Sequence, residues 1–488
     1  MLQPHSLAVD LGTSHLKVAV VRADGHVAAL CSRPIVTRFD DDGAGEQDAD
    51  SWWAALLDAG RQVVFDSGVD PVAIVAVSCT SQYMSLVPVA ADGTPVGPAL
   101  MWMDGRGAEL SPHLFGPEQR SLWRSRHGLA PFGSDDLCHM QFFHESMPRV
   151  YESAATFVEP VDALTARLVG YVTANPNTAF PLLLTNNFDG SITSFDPVLV
   201  RAAGVDSSKL PQLVAVGTIL GSLQPNVADA LGLTASTLVV SGTIDSATSA
   251  IGTAAISTNR LGIVIGTTSV VVAHTDRMML DHRRSLFTAP SAIADRFVLL
   301  AENGIGGRAV EHLGGLLSMT TDQFVSLAGQ APPGANGAWF APWLVGSMAP
   351  RPNPALRGSL MGLGLATTTA DLARAALEGV ALNLAWLVPE VEEFVHERFS
   401  SITFGGGAAA SPLWAQILAD ACQLPVRRVS EPRATNARAA GLLALASCGE
   451  GDLAGLAALI PVAQIHDPHP EAIYEQARER LIRASEAI

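Results

Sequence analysis

The chain has 488 residues, too many for one hydrophobic core, and its 48% hydrophobic and 16% charged content excludes a disordered chain. Its 47 acidic against 30 basic residues leave a net charge of −17, a field that repels a phosphate backbone and sets nucleic acid aside as a partner. No run of eighteen apolar residues appears, and MLQPHSLAVDLG at the start lacks a basic segment ahead of an apolar one, so neither a membrane span nor a secretory signal is expected.

Residues 6–11 are an apolar run ending in the polar turn Gly12-Thr13-Ser14. Residues 16–21 resume as a strand, Asp24-Gly25 marks a hairpin, and residues 27–30 give a third strand, so three antiparallel strands open the chain. Helical periodicity follows at 51–57, with Asp50 or Ser51 as the N-cap, and residues 72–78 read as a buried strand. The apolar run 237–240 leads into Ser241-Gly242-Thr243-Ile244-Asp245-Ser246, where Asp245 is a lone charge with no Lys or Arg nearby in sequence. A small-residue helix is placed from Ser246, with Asp245 as its cap. Residues 261–272 repeat strand, Gly-Thr turn, strand, and the echo of Asp10-Leu11-Gly12-Thr13 in Ile265-Gly266-Thr267-Thr268 suggests two related halves meeting near 250–258. Helices at 370–388 and 411–422 flank a strand at 401–404, so the fold class is α/β with two lobes. Five scattered cysteines (Cys31, Cys79, Cys138, Cys422, Cys448), with no C-x-x-C pair and no His cluster, read as reduced cytoplasmic thiols and argue against zinc.

A Gly-Thr turn after a buried strand offers successive N–H groups and a hydroxyl to a phosphate. This chain has two, plus a third glycine turn at Gly405-Gly406-Gly407-Ala408, and three such turns in one α/β chain suit a nucleotide held in a cleft. No G-x-x-x-x-G-K-[ST] occurs and no G-x-G-x-x-G follows the first strand, which excludes a P-loop and weakens a dinucleotide site.

Read in order, the motifs are Asp10-Leu11-Gly12-Thr13-Ser14 with Lys17, then Glu46-Gln47-Asp48 ahead of Trp52-Trp53, then Met101-Trp102-Met103-Asp104-Gly105-Arg106. Gly242-x-x-Asp245 and Gly266-Thr267-Thr268 follow, then Gly358-Ser359-Leu360-Met361-Gly362-Leu363 with the run from Asp371 to Gly379, and last Gly405-Gly406-Gly407-Ala408 with Ser411-Pro412-Leu413-Trp414. In this order they resemble the FGGY carbohydrate kinases, on the actin-like, ribonuclease-H-like ATPase fold, nearest the xylulokinase-like branch. The resemblance implies two lobes, each a mixed sheet flanked by helices: residues 1–253 for sugar and the first phosphate turn, residues 254–488 for ATP. It implies transfer of a phosphoryl group from ATP, with Mg²⁺, to a sugar or polyol hydroxyl, most simply a ketose such as a pentulose.

By the same resemblance Asp245 is the general base, and Asp10 and Asp245 place the metal. Asp10, Gly12, Thr13, Ser14, Lys17, Gly266, Thr267, Thr268, Gly406, Gly407 and Ala408 bind the nucleotide. Gln82, Tyr83, Trp102, Asp104, Arg106, Asp245 and Ser246 face the acceptor. The plainer alternatives are a helix cap for Asp245, a surface ion pair for Asp104 and Arg106, core filling for Trp102, and a structural Glu378 at a helix end. Departures gather on the acceptor side. Ser81-Gln82-Tyr83-Met84 replaces Gly-Gln-Met-His, residues 137–147 lack the family's Lys and Trp, Asn175-Pro176-Asn177 opens an unfamiliar segment, and Ser246 replaces Asn. Competing readings are a kinase for a hexulose, polyol or aldonate, an ATP-binding or regulatory protein without turnover, and an ATPase chaperone. The expected partner is a small sugar or polyol, with no nucleic acid and no membrane, a homodimer being left open, and the expected location is cytoplasmic. Asp245 is expected to be unburied, lining the cleft, and free of cations that would lower its basicity.

Overall fold

The computed structural model describes residues 3–40, 43–188, 192–256, 259–293, 295–469 and 472–486. The chain divides into two compact units, 1–248 with 289–296 and 436–459, and 249–288 with 297–435 and 460–488. A single cut near 250–258, of which residues 257 and 258 lie outside the described residues, therefore gives way to an interleaved division. The reason is packing within the first unit: Ser6 Oγ donates to Gly441 O at 2.9 Å, and Ala444 buries against Ala76 and Val240.

In the first unit the opening run folds as strands His5–Leu11, His15–Arg22 and Val27–Pro34, antiparallel in sequence order. The strand Ile74–Ser81 adds in parallel beside His5–Leu11, Leu238–Ile244 adds in parallel beside that, and Ile219–Ser222 closes the edge antiparallel. Leu7, Ala8, Val9 and Leu11 are all 0% exposed, so the strand is covered on both faces and reads as a continuous apolar run. The covering helix Ala49–Ser67 starts at Asp48, whose side chain accepts from Asp50 N, so the cap lies two residues before Asp50. Asp70 caps a short turn, Pro71–Ala73, and delays the next strand to Ile74.

The second unit repeats this order. Arg260–Ile265, Thr268–Thr275 and Phe297–Ile305 are antiparallel neighbours; Ser401–Gly405 joins Arg260–Ile265 in parallel, Val426–Val429 joins next in parallel, and Val462–His466 ends antiparallel. The two halves echo each other in topology, not only in their Gly-Thr turns. Across the core runs the helix Thr369–Val395, opened by a capping box of Thr368 and Asp371. By length and composition it could cross a membrane, but 89% of its apolar window is buried within the protein, where it is a core helix.

Glu378 lies inside this helix, not at its end. It is 4% exposed, and its Oε1 accepts from Arg374 Nε at 2.7 Å, Tyr474 Oη at 2.9 Å and Gly334 N at 3.0 Å, while Arg374 also donates to Tyr474 Oη at 2.8 Å. The structural role anticipated for it holds, because a buried carboxylate needs all of these donors. Arg374→Met should lower the unfolding free energy by about 3–5 kcal/mol, and Tyr474→Phe by about 1–3 kcal/mol, measured by denaturant titration; equal stability of Arg374→Met and the parent would show that the triad is not holding the helix.

Candidate active site

Register decides what meets at the carboxyl end of the first sheet. Asp10 is the cross-strand partner of Lys17 on one side and of Thr80 on the other, and Thr80 pairs with Thr243 one strand further on. Open α/β sheets take ligands at this end of their parallel strands. The strand Leu238–Ile244 runs straight into the helix Asp245–Gly252, so Asp245 is the first residue of that helix and not a cap outside it. Thr248 Oγ1 donates back to Asp245 O at 2.9 Å and lies 3.0 Å from Thr80 Oγ1, tying the helix start to the middle strand.

The ladder slips between Val240 and Thr243, where Gly242 sits. A Cβ on Gly242 would lie 2.0 Å from Cys79 O, so only glycine lets the two backbones approach this closely. Asn175 Nδ2 donates to Ser241 Oγ at 3.1 Å and to Gly242 O at 2.9 Å, and Asn177 Oδ1 accepts from Thr243 Oγ1 and from Ile244 N. The unfamiliar Asn175-Pro176-Asn177 segment is thus the brace behind the bulge that aims Asp245, a role its sequence gave no sign of.

Asp245 is half-buried, more covered than the open cleft carboxylate expected of it. Its pKa is pushed up to about 7, first by burial and then by the charge of Asp10, while Ser246 and Lys17 pull it down. Ser246 Oγ lies 3.2 Å from Asp245 Oδ1. The cation absent from the local sequence is therefore supplied from across the sheet. Lys17 Nζ is committed to Asp10 Oδ2 at 3.0 Å and reaches Asp245 only as the weakest of these influences.

The first Gly-Thr turn sits beside them. Gly12 N donates to His15 O at 2.9 Å, Thr13 is half-buried and Ser14 is exposed. Gln47 holds the turn: its Nε2 donates to Thr13 O at 2.8 Å, while its Oε1 accepts from Trp52 Nε1 at 2.9 Å and Gln82 Nε2 at 3.1 Å. Gln47 belongs to the early motif and was not counted among site residues; its spacing from Trp52 was the available signal. Gln82 is 2% exposed, Tyr83 is half-buried, and Trp102, 38% exposed, places its Nε1 3.3 Å from Thr13 Oγ1. Trp102 is not core filling.

Asp104 and Arg106 are not a surface pair either. Asp104 is 0% exposed; its oxygens accept from Gly45 N at 3.0 Å, from Arg106 N at 3.0 Å and from the Arg106 guanidinium, which also bonds Glu46 at 2.7 Å and lies 4.5 Å over the Phe142 ring. Five-donor Arg is suited to such a fork.

In the second unit Gly266 and Thr267, both exposed, and half-buried Thr268 form the second turn. Gly266 and Thr267 border a cavity of about 470 Å³ lined also by Gly407, Ala408, Trp414 and Arg433, a volume in the range of small-molecule sites. Gly406 adopts φ +82°, and a Cβ there would lie 2.5 Å from Ile265 O. Its N–H donates to Pro432 O at 3.1 Å, and Gly407 has open space before it.

Among the described residues no group of three or more His, Cys, Asp or Glu is arranged to hold a metal. Asp10 and Asp245 alone suit Mg²⁺, which keeps most of its waters and takes phosphate oxygens alongside one or two carboxylates.

Residues 5–252 match the N-terminal domain of the FGGY family of carbohydrate kinases, and residues 261–448 match its C-terminal domain. The chain is similar to a xylulose kinase of Staphylococcus epidermidis, 25% identical over 98% of this chain and 95% of the relative. It is also similar to a glycerol kinase of Thermus brockianus, 27% identical over 98% of both. Among solved structures, a gluconate kinase from Lactobacillus acidophilus shares the two-domain α/β fold at a TM-score of 0.86, with 20% identity over 99% of this chain and 98% of that one.

Gly406→Ala forces a side chain into the left-handed region against a backbone oxygen. It should weaken ADP binding, read by calorimetry, by about tenfold or more, and unchanged affinity would remove this turn from the nucleotide site.

Proposed function

The chain belongs to the FGGY family of carbohydrate kinases and is a sugar phosphotransferase that uses ATP, and from that premise we propose that it phosphorylates a ketose such as a pentulose with Asp245 as general base. The observation that carries this reading is the setting of Asp245: a half-buried carboxylate opening a helix, beside Asp10, with its proton affinity raised to about 7. A base works best when its pKa lies near the working pH, and an ordinary carboxylate is too weak to take a hydroxyl proton well. Asp245 receives the acceptor hydroxyl's proton as that oxygen attacks the γ-phosphate. Small neighbours such as Ala247 leave the helix start uncrowded.

Asp10 and Asp245 would hold Mg²⁺, which when bound neutralises phosphate charge. Lys17, held by Asp10, and Thr13 of the Gly12-Thr13 turn, through its N–H and hydroxyl, meet phosphate oxygens. The Gly266-Thr267-Thr268 turn and the cavity beside Gly407 and Ala408 take the nucleotide's phosphates and adenosine. Gln82, Tyr83 and Trp102 contact the acceptor, with Asp104 and Arg106 shaping that surface from behind. A regulatory ATP binder without turnover would not need a carboxylate held so far from its ordinary titration range.

Two further acceptor classes stand beside the ketose, because similar chains include glycerol and gluconate kinases. D-xylulose, glycerol and D-gluconate are therefore the first acceptors to try; a parent protein that forms ADP with none of them, nor with a wider ketose panel, would sink the acceptor assignment. Asp245→Asn should cut kcat by about 10²–10⁴ with ADP affinity kept, and kcat/KM of the parent should fall as pH drops through about 7. The raised pKa also fixes a sign for stability. Ionising Asp245 costs the folded state, so its contribution worsens as pH climbs from the ordinary carboxylate range to about 7. Asp245→Asn should accordingly raise the Tm at pH 8, and a lowered Tm there would contradict the raised pKa.

A further inference from the structure

In and around the segment 137–147, where the family's Lys and Trp are missing, lie titratable groups that phosphoryl transfer does not use. Asp136 and His139 are 0% exposed and Glu159 is 2% exposed. Glu159 precedes the helix Pro160–Val169 but caps nothing in it. Its oxygens instead accept from Met84 N at 2.9 Å and Ser85 N at 3.4 Å. Two residues on, Val161 N donates to Ser81 Oγ at 3.1 Å. Three hydrogen bonds thus run from the start of this helix into residues 81–85. Met84 sits at φ 59°, a left-handed conformation that a methionine adopts only when its surroundings hold it there.

Behind Glu159 lies Asp136, neither of whose oxygens has a hydrogen-bond partner among the described residues. Burial raises the pKa of both carboxyls, and the charge of Asp136 raises that of Glu159 further. Asp162, pushed up to about 8 by burial, faces Glu159 as well. Burial therefore favours the protonated form of both Asp136 and Glu159. His139 Nδ1 lies 3.7 Å from Asp136 Oδ1, and His139 Nε2 lies 3.0 Å from Asp104 O, a carbonyl that can only accept, so Nε2 carries a proton. Glu159 thus holds the residues that follow Gln82-Tyr83, at Met84 and Ser85, and His139 meets the Asp104 carbonyl within the Trp102–Arg106 motif.

We propose that Glu159 is a positioning residue that sets acceptor selectivity by fixing the 81–85 strip without touching the acceptor. The inference rests on the reading that Gln82, Tyr83 and Trp102 contact the acceptor. By holding Met84 left-handed, Glu159 dictates how Tyr83 is presented, at the place where the related pentulokinases carry a different sequence.

The test compares the full-length parent with Glu159→Gln and Asp136→Asn by backbone amide exchange, by ADP affinity, and by acceptor KM and kcat with whichever of D-xylulose, glycerol or D-gluconate the parent phosphorylates. Glu159→Gln keeps the size but turns an NH₂ donor toward one of the two backbone N–H groups. It should speed exchange across residues 82–86 by about tenfold or more and raise acceptor KM by about tenfold, with ADP affinity within about twofold. Asp136→Asn leaves both Glu159 oxygens in place and should keep Met84 protected. Unchanged exchange in Glu159→Gln overturns the proposal, and so does a loosened strip with unchanged acceptor KM. A parent protein inactive on all three acceptors would count against the acceptor reading, while the exchange comparison would still decide whether Glu159 holds the strip.

Discussion

The first unit depends on one constraint, the register that sets Asp10 across from Lys17 and in line with Thr80 and Thr243. Three adjacent parallel strands then end together, and with strands about 4.8 Å apart the charge of Asp10 lies near enough to raise the proton affinity of Asp245. Lys17 answers Asp10 directly and leaves Asp245 largely uncompensated. Slipping the strand His5–Leu11 by a residue would send Asp10 to the opposite face. The continuous burial of Leu7, Ala8, Val9 and Leu11 is what forbids that slip.

A second layer keeps the acids aimed. Gly242 permits the bulge, Asn175 and Asn177 bond its backbone, and Gln47 joins the phosphate turn to Gln82. These residues touch no reacting atom, yet the geometry of Asp245 and Thr13 is theirs to set. Glu159 does for residues 81–85 what Asn175 and Asn177 do for the start of the Asp245 helix. In each case the dry interior makes a few polar bonds decisive, because an unmet donor or acceptor there is costly.

The strand–turn–strand openings at Gly12 and Gly266 were legible in sequence because a glycine turn between apolar runs has few other uses, and motif order carried the family. The roles of Asp104 and Arg106 were harder to read, since sequence does not say whether a charged pair is covered; Gly45 and Phe142, distant in sequence, do the covering. The cation near Asp245 was missed for the same reason, because Lys17 arrives only through strand pairing. Glu378, placed at a helix end, lies well inside a helix that continues past residue 388 to Val395. Helix starts shifted by a residue or two where a neighbouring acid, Asp48 rather than Asp50, had the extended backbone a cap needs.

The central claim is that partial burial and a neighbouring acid turn Asp245 into a base suited to neutral pH. Carboxyl ¹³C titration of Asp245, in the parent and in Asp10→Asn, tests it directly. The account predicts a parent value near 7 that falls when Asp10 is neutralised but stays above the ordinary carboxylate range, since burial is the larger cause. An Asp245 that titrates in the ordinary carboxylate range in the parent would contradict it.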